Sequence, residues 1–130
     1  MPPKFEVVGL IVKDMPTALA FYRELGLDIP AEMDKEGHVD HALAGGLRLS
    51  WDTYAIIQSF DTHWQPPPDA HHKMNIAFRC DTAAEVDATY QQIVDKGYRS
   101  HNAPWDAVWG QRYAQVLDPD GNVVDLFATL

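Results

Sequence analysis

Cysteine is nearly missing from these 130 residues: Cys80 is the only one. A single thiol excludes an internal disulfide and a thiolate metal cluster, and it suits a reducing compartment, so a cytoplasmic location is expected. Positive charge is scarce as well, with 10 Lys and Arg against 19 Asp and Glu and a formal net charge of -9. Such a chain repels a phosphate backbone or an anionic bilayer, which sets nucleic acid and membrane aside as partners. No run of about 18 uncharged apolar residues occurs, and MPPKFEVV carries no charged leader followed by a long apolar stretch, so neither a spanning helix nor an export signal is expected. Nor is there a Ser/His/Asp or Cys/His set at a recognisable catalytic spacing.

What is present suffices for one compact domain. Hydrophobic residues make up 46% of the chain, enough to bury a core at this length. Residues 5–12 form a β-branched apolar run. Asp14 then offers an N-cap and Pro16 fits the first helical turn. Ala18, Leu19, Tyr22 and Leu25 follow helical spacing, and Gly26 stands where a left-handed residue closes the helix. The order returns about 70 residues later: an apolar strand over 74–80, Asp81 or Thr82 as cap, a stripe of Val86, Tyr90, Ile93 and Val94, and Gly97 as stop. Short strands are expected at 28–32, 38–44 and 47–52, with a hairpin turn at Gly45-Gly46, and at 98–102, 111–117 and 123–128, with the DPDGN turn before the last. Each half reads βαβββ. The fold class is α+β, with module 1 over about 4–53, an extended linker over 54–73 stiffened by Pro66-Pro67-Pro68, and module 2 over about 74–130.

These segments, VVGLIVKDMPTALAFYRELGL, IAFRCDTAAEVDATYQQIVDKGY and DPDGNVVDLF, resemble in order and spacing the glyoxalase/bleomycin-resistance/dioxygenase group, the vicinal oxygen chelate superfamily. The resemblance implies a cupped mixed sheet built from the two modules and paired in a homodimer, with exchange of halves between chains open. GGLRLSWDT, PWDAVWGQRYA, DPDGNVVDLFA and the region around His38 are similar to the antibiotic-binding resistance members of the group, of the mitomycin- and bleomycin-binding kind. A planar, aromatic, antibiotic-like small molecule is the ligand so implied.

Metal-dependent members place a histidine on the first strand of each module and an acid on a last strand. Counting back from Asp14 and Asp81 puts Val7 and Met74 at the histidine positions, with Asp125 at the acid. One carboxylate does not supply the usual three protein ligands, so no metal cofactor and no catalytic residue are expected. The alternative is a metal-dependent glyoxalase, dioxygenase or thiol-transferase type enzyme recruiting His72 through a two-residue slip. A third reading is a protein-interaction domain with a filled cup. His38 and His41, three apart on one strand, face opposite sides and cannot share an ion.

The candidate ligand-binding residues are His38, Trp51, Asp52, Trp105, Trp109, Gln111, Arg112, Tyr113 and Asp125. Aromatic faces hold a flat conjugated molecule by area and orientation. Trp109 leads, in the Gly-terminated AVWG loop, and the resemblance implies that His38 stacks opposite it. Trp51 and Asp52 alternate, so one faces the cup. Asp52 is an acceptor for a ligand amine or hydroxyl, or a turn cap. Trp105 lines the mouth or covers the core. Arg112 donates to a ligand oxygen or pairs with an acid; Tyr113 points the opposite way. Asp125 shares a face with Val123 and Phe127 and binds the ligand or is satisfied by Arg112 or Tyr113.

Overall fold

The computed structural model describes residues 2, 4–68 and 74–130. The chain divides into two compact units at Pro67/Pro68, each with its own mixed sheet. Among the described residues no helix is long and apolar enough to cross a membrane.

In the first unit, β1 (Val7–Val12) leads into α1 (Met15–Glu24). The Asp14 carboxylate accepts the Thr17 N–H at 3.0 Å, Pro16 occupies the first turn, and Gly26 takes φ 92° past the C-terminus, as the sequence signals require. Strands β2 (His38–Ala42) and β3 (Arg48–Thr53) form a hairpin through Gly45 and Gly46, with φ 82° and 85°. β3 lies between its antiparallel partner β2 and the parallel β1. Leu10, Val12, Val39, Leu49 and Trp51 are buried with Leu19 and Tyr22 of α1.

Two expectations fail here. Residues 28–32 are not a strand: Pro30 has no N–H to share, and a short 3-10 turn, Ala31–Lys35, follows it. The Arg23 guanidinium takes the Ile29 and Pro30 carbonyls at 2.8 and 2.9 Å, together with the Asp34 carboxylate, so the acceptors a further strand would use are occupied. The stretch expected as linker opens with a helix, α2 (Tyr54–Phe60), capped by Thr53 and anchored by buried Ile57. Its Ile-Ile pair reads as strand locally; the cap and the burial of Ile57 decide otherwise.

The second unit keeps the full βαβββ order: β4 (Asn75–Arg79), α3 (Ala83–Asp95), β5 (Ser100–Ala107), β6 (Gln111–Leu117) and β7 (Val123–Thr129). The strand order is β4-β7-β6-β5, with β4 parallel to β7 as β1 is to β3. Thr82, not Asp81, caps α3 by accepting the Glu85 N–H. Val86 and Ile93 of α3 are buried, as are Ala114, Val116, Val124, Leu126 and Ala128 of β6 and β7. β5 runs further than expected, through Pro104 and Trp105. The proline is tolerated because β5 is an edge strand whose pairing with β6 shifts register twice.

Candidate functional site

Strand parity sorts the candidate residues. On β6, Ala114 and Val116 are buried on the α3 side, and Arg112 shares their parity. Its guanidinium forks onto Asp87 of α3 at 2.9 and 3.2 Å and reaches Asp106 at 3.1 Å. Arg112 is therefore a helix-to-sheet tie and not a ligand donor, which corrects its assignment to the binding face. Tyr113, Gln111 and Gln115 point the other way, beside Phe127, Thr129 and Asp125 of β7. That face is turned away from α3.

Four aromatic rings gather on it. Tyr113 stacks on Phe127 with centroids 6.2 Å apart, and meets Trp105 at 5.5 Å and Trp109 at 5.4 Å edge-on. Trp105 and Trp109 meet each other at 6.3 Å. Trp109 lies in the turn between β5 and β6, closed by Gly110 at φ 91°, and its Nε1 donates to Gln111 Oε1 at 2.9 Å. It is 59% exposed, an unusual state for the largest apolar side chain.

Beside the rings lies a buried carboxylate, Asp125, at 1% exposure. Its oxygens accept the Tyr113 hydroxyl, Asn75 Nδ2 at 2.5 Å and Gln115 Nε2 at 2.8 Å. Gln115 Oε1 in turn accepts from Asn102 Nδ2 at 2.7 Å, so the Gln115 amide is held in one orientation. Burial first, then the bond to Asp125, pushes the Tyr113 phenol up to about 12. Tyr113 thus remains a neutral donor. Asn75, Gln115, Asn102 and Phe127 were absent from the expected site. The signal available for two of them, Gln115 and Phe127, was the period of two from Tyr113 and Asp125; Asn75 and Asn102 needed the strand pairing.

The first unit holds the other candidates. His38 and Asp52 sit opposite each other on β2 and β3, and His38 Nδ1 is 2.5 Å from Asp52 Oδ1. His38 Nε2 meets Asp40 at 3.1 Å, Asp40 meets Arg48 at 2.8 Å, and Arg48 meets Glu6 at 2.9 Å. His38 is the first residue of β2, where the strand was expected to begin. The Asp52 contact, followed by the Asp40 contact, raises its pKa above the ordinary 6.5. Trp51 has the opposite parity: fully buried, it packs 5.5 Å from Tyr22 of α1, with Nε1 unpartnered among the described residues. It is core and not a ligand wall, while Asp52 keeps the open side. His38 and Asp52 belong to one unit and the aromatic face to the other.

The family model of the Glyoxalase/Bleomycin resistance protein/Dioxygenase superfamily matches residues 4–126. The chain belongs to that superfamily. It is 28% identical to the uncharacterized protein YraH of Bacillus subtilis (strain 168), over 95% of this chain and 96% of that protein. Its fold resembles that of a glyoxalase/bleomycin resistance protein/dioxygenase family enzyme from Burkholderia phytofirmans PsJN, with TM-score 0.81, 19% identity, and 96% and 98% of the two chains covered. It also resembles the lactoylglutathione lyase from Agrobacterium tumefaciens, with TM-score 0.70, 22% identity, and 98% and 95% covered.

The positions at which the superfamily resemblance implies metal ligands can now be set by geometry. The helix caps Asp14 and Thr82 correspond, and Val7 and Asn75 each stand seven residues before their cap. Each is also the first residue in the parallel register of its sheet. Asn75, on the Asp125 face, is therefore the counterpart of Val7, and Met74 is not. Val7 offers no donor atom, Asn75 is an amide, and the Asp125 oxygens already hold three neutral donors. This set does not fit a three-ligand divalent centre. Among the described residues no three His, Cys, Asp or Glu side chains converge. His72 lies outside the described residues. Cys80 is half-buried, and burial pushes its thiol up, the reverse of what a nucleophilic cysteine needs.

Proposed function

We propose that the protein binds a planar aromatic, antibiotic-like small molecule without transforming it, in the manner of mitomycin- and bleomycin-binding resistance proteins. The observation that carries this reading is the aromatic face of the second sheet. Trp105, Trp109, Tyr113 and Phe127 offer ring surface on the side away from α3, and Trp109 is more than half exposed. Flat conjugated ligands gain area and orientation from such rings. The polar floor, Asp125 with its three donors, holds Tyr113 in place and contains no free nucleophile or base. The reading also assigns ligand contact to His38 and Asp52 on the polar side of the first sheet, and takes the binding species as a cytoplasmic homodimer.

Tryptophan fluorescence titration against a panel of quinone and glycopeptide antibiotics tests it. Wild-type protein is expected to quench on binding and to return the ligand chemically unchanged. Trp109→Ala is expected to lose at least about tenfold in affinity while changing stability by less than about 1 kcal/mol, since an exposed ring contributes little to the core. Unchanged affinity in that variant removes the site. A stoichiometric divalent metal in the purified protein, or a product released from the ligand, replaces the binding reading with the enzymatic one.

A further inference from the structure

Strand register places an arginine in the same row as the aromatic rings. Reading across the second sheet, Arg79 on β4 pairs with Phe127 on β7, Phe127 with Tyr113 on β6, and Tyr113 with Trp105 on β5. Arg79 has the parity of Asn75, whose side chain bonds Asp125, so both belong to the face turned away from α3. At about 4.8 Å per strand the row spans about 14 Å. It starts with a guanidinium, continues through a stacked pair of rings, and ends at two tryptophans. The neighbouring row, Ala77, Asp125, Gln115 and Asn102, is polar but internally hydrogen-bonded.

Arg79 is one of two arginines without a carboxylate partner among the described residues. Of the five arginines, Arg23, Arg48 and Arg112 are each held by carboxylates. Among the described residues Arg79 and Arg99 make no ion pair, although the chain has 19 acids; Arg99 precedes β5, and Arg79 alone of the two lies in the aromatic row. Arg79 is exposed, and the one acid that the described strands put on its face, Asp125, is fully engaged by Tyr113, Asn75 and Gln115. A guanidinium left unpaired at the end of an aromatic row retains its fork for a planar oxygen pair and can stack on a ring.

We propose that Arg79 is the specificity-determining residue of this face, selecting flat aromatic ligands that carry a carboxylate or a comparable anionic oxygen pair at the end lying over β4. The inference rests on the aromatic-face reading and names the ligand class for it. The rings supply the area, and Arg79 reads one end. Arg112, the arginine nearest the aromatic turn in sequence, has no such part because Asp87 and Asp106 hold it on the other side.

The test compares anthracene carboxylate with its neutral hydroxymethyl analogue, titrated into wild-type protein, Arg79→Gln and Arg79→Lys with tryptophan quenching as readout. The net charge of the chain penalises the carboxylate in every variant, so the quantity read is the ratio of the two affinities. Arg79→Gln is expected to lower the carboxylate-to-alcohol ratio about fivefold, the scale of one partly exposed ion pair, and raised salt is expected to bring the wild-type and Arg79→Gln ratios closer together. Arg79→Lys is expected to fall between, because it keeps the charge and loses the fork. A ratio identical in wild type and both variants, with both probes still bound, overturns the assignment of Arg79 and leaves the aromatic face standing. Failure of both probes to bind folded wild-type protein overturns the face itself, and this inference with it.

Discussion

Replacing Asp125 separates a structural hub from an inert remnant. Its carboxylate is 1% exposed and accepts from Tyr113, Asn75 and Gln115. In Asp125→Leu these three donors lose their acceptor. Asn75 is exposed and recovers water, whereas Tyr113 and Gln115 are half-buried. At about 1–3 kcal/mol for each donor left unsatisfied, a total near 3 kcal/mol is expected. For a domain of this size that corresponds to a fall in Tm of about 10 °C. Asp125→Asn behaves differently. Its oxygen keeps the Gln115 bond, Asn75 can turn its amide to accept, and the Tyr113 hydroxyl can rotate to accept from the new amide. What is lost is the charge assistance, about 1 kcal/mol or a few degrees. Differential scanning calorimetry of the three proteins checks the order. Equal destabilisation by Asn and Leu refutes the reversible network, and no destabilisation by Leu refutes the hub altogether. A second readout is the Tyr113 phenol, raised to about 12 by burial and then by Asp125. In Asp125→Asn the burial remains and the other causes go, so its pKa should fall but stay above 10, read as the difference titration against Tyr113→Phe. Because the folded value is raised, the Tyr113 contribution to stability is complete below pH 10 and is lost as pH climbs toward about 12.

The first unit yields two more predictions. His38 titrates above its ordinary 6.5 because of Asp52 first and Asp40 second, so its stabilisation is complete below pH 6.5 and disappears as pH rises through the raised value. In Asp52→Asn the His38 pKa, followed by imidazole NMR, is expected to drop; an unchanged value refutes the pairing. A Cβ at Gly37 would lie 2.5 Å from Ile56 Cγ1, so Gly37→Ala is expected to cost about 1–2 kcal/mol in denaturant unfolding and to be partly relieved by Ile56→Ala. Additive effects of the two substitutions would show that α2 does not press on Gly37.

Local signals determined the scaffold because they are local in origin. Asp14 with Pro16 and Gly26, Thr82 with Gly97, and the glycine pair at 45 and 46 each set a helix end or a turn through a few neighbouring residues. They are enough to reveal the repeated strand-helix order and the α+β class. Local signals failed where a distant group intervened: the Arg23 guanidinium holding the Ile29 and Pro30 carbonyls, and the burial of Ile57 that makes a helix of α2.

The site divides in the same way. The sequence alone established that Arg112 and Tyr113 face opposite sides, because strand residues alternate, and that Trp105, Trp109, Tyr113 and Asp125 cluster near one hairpin. It did not establish which side α3 would cover. That required the pairing of Asp87 with Arg112, a contact 25 residues apart in the chain. Nor did it show that Asn75 rather than Met74 meets Asp125, since one residue of slip at the helix cap reverses the parity of the whole strand. Only the register of four strands brought Arg79 into one row with Phe127, Tyr113 and Trp105, because hydrogen-bonded pairing joins residues that the chain itself keeps far apart.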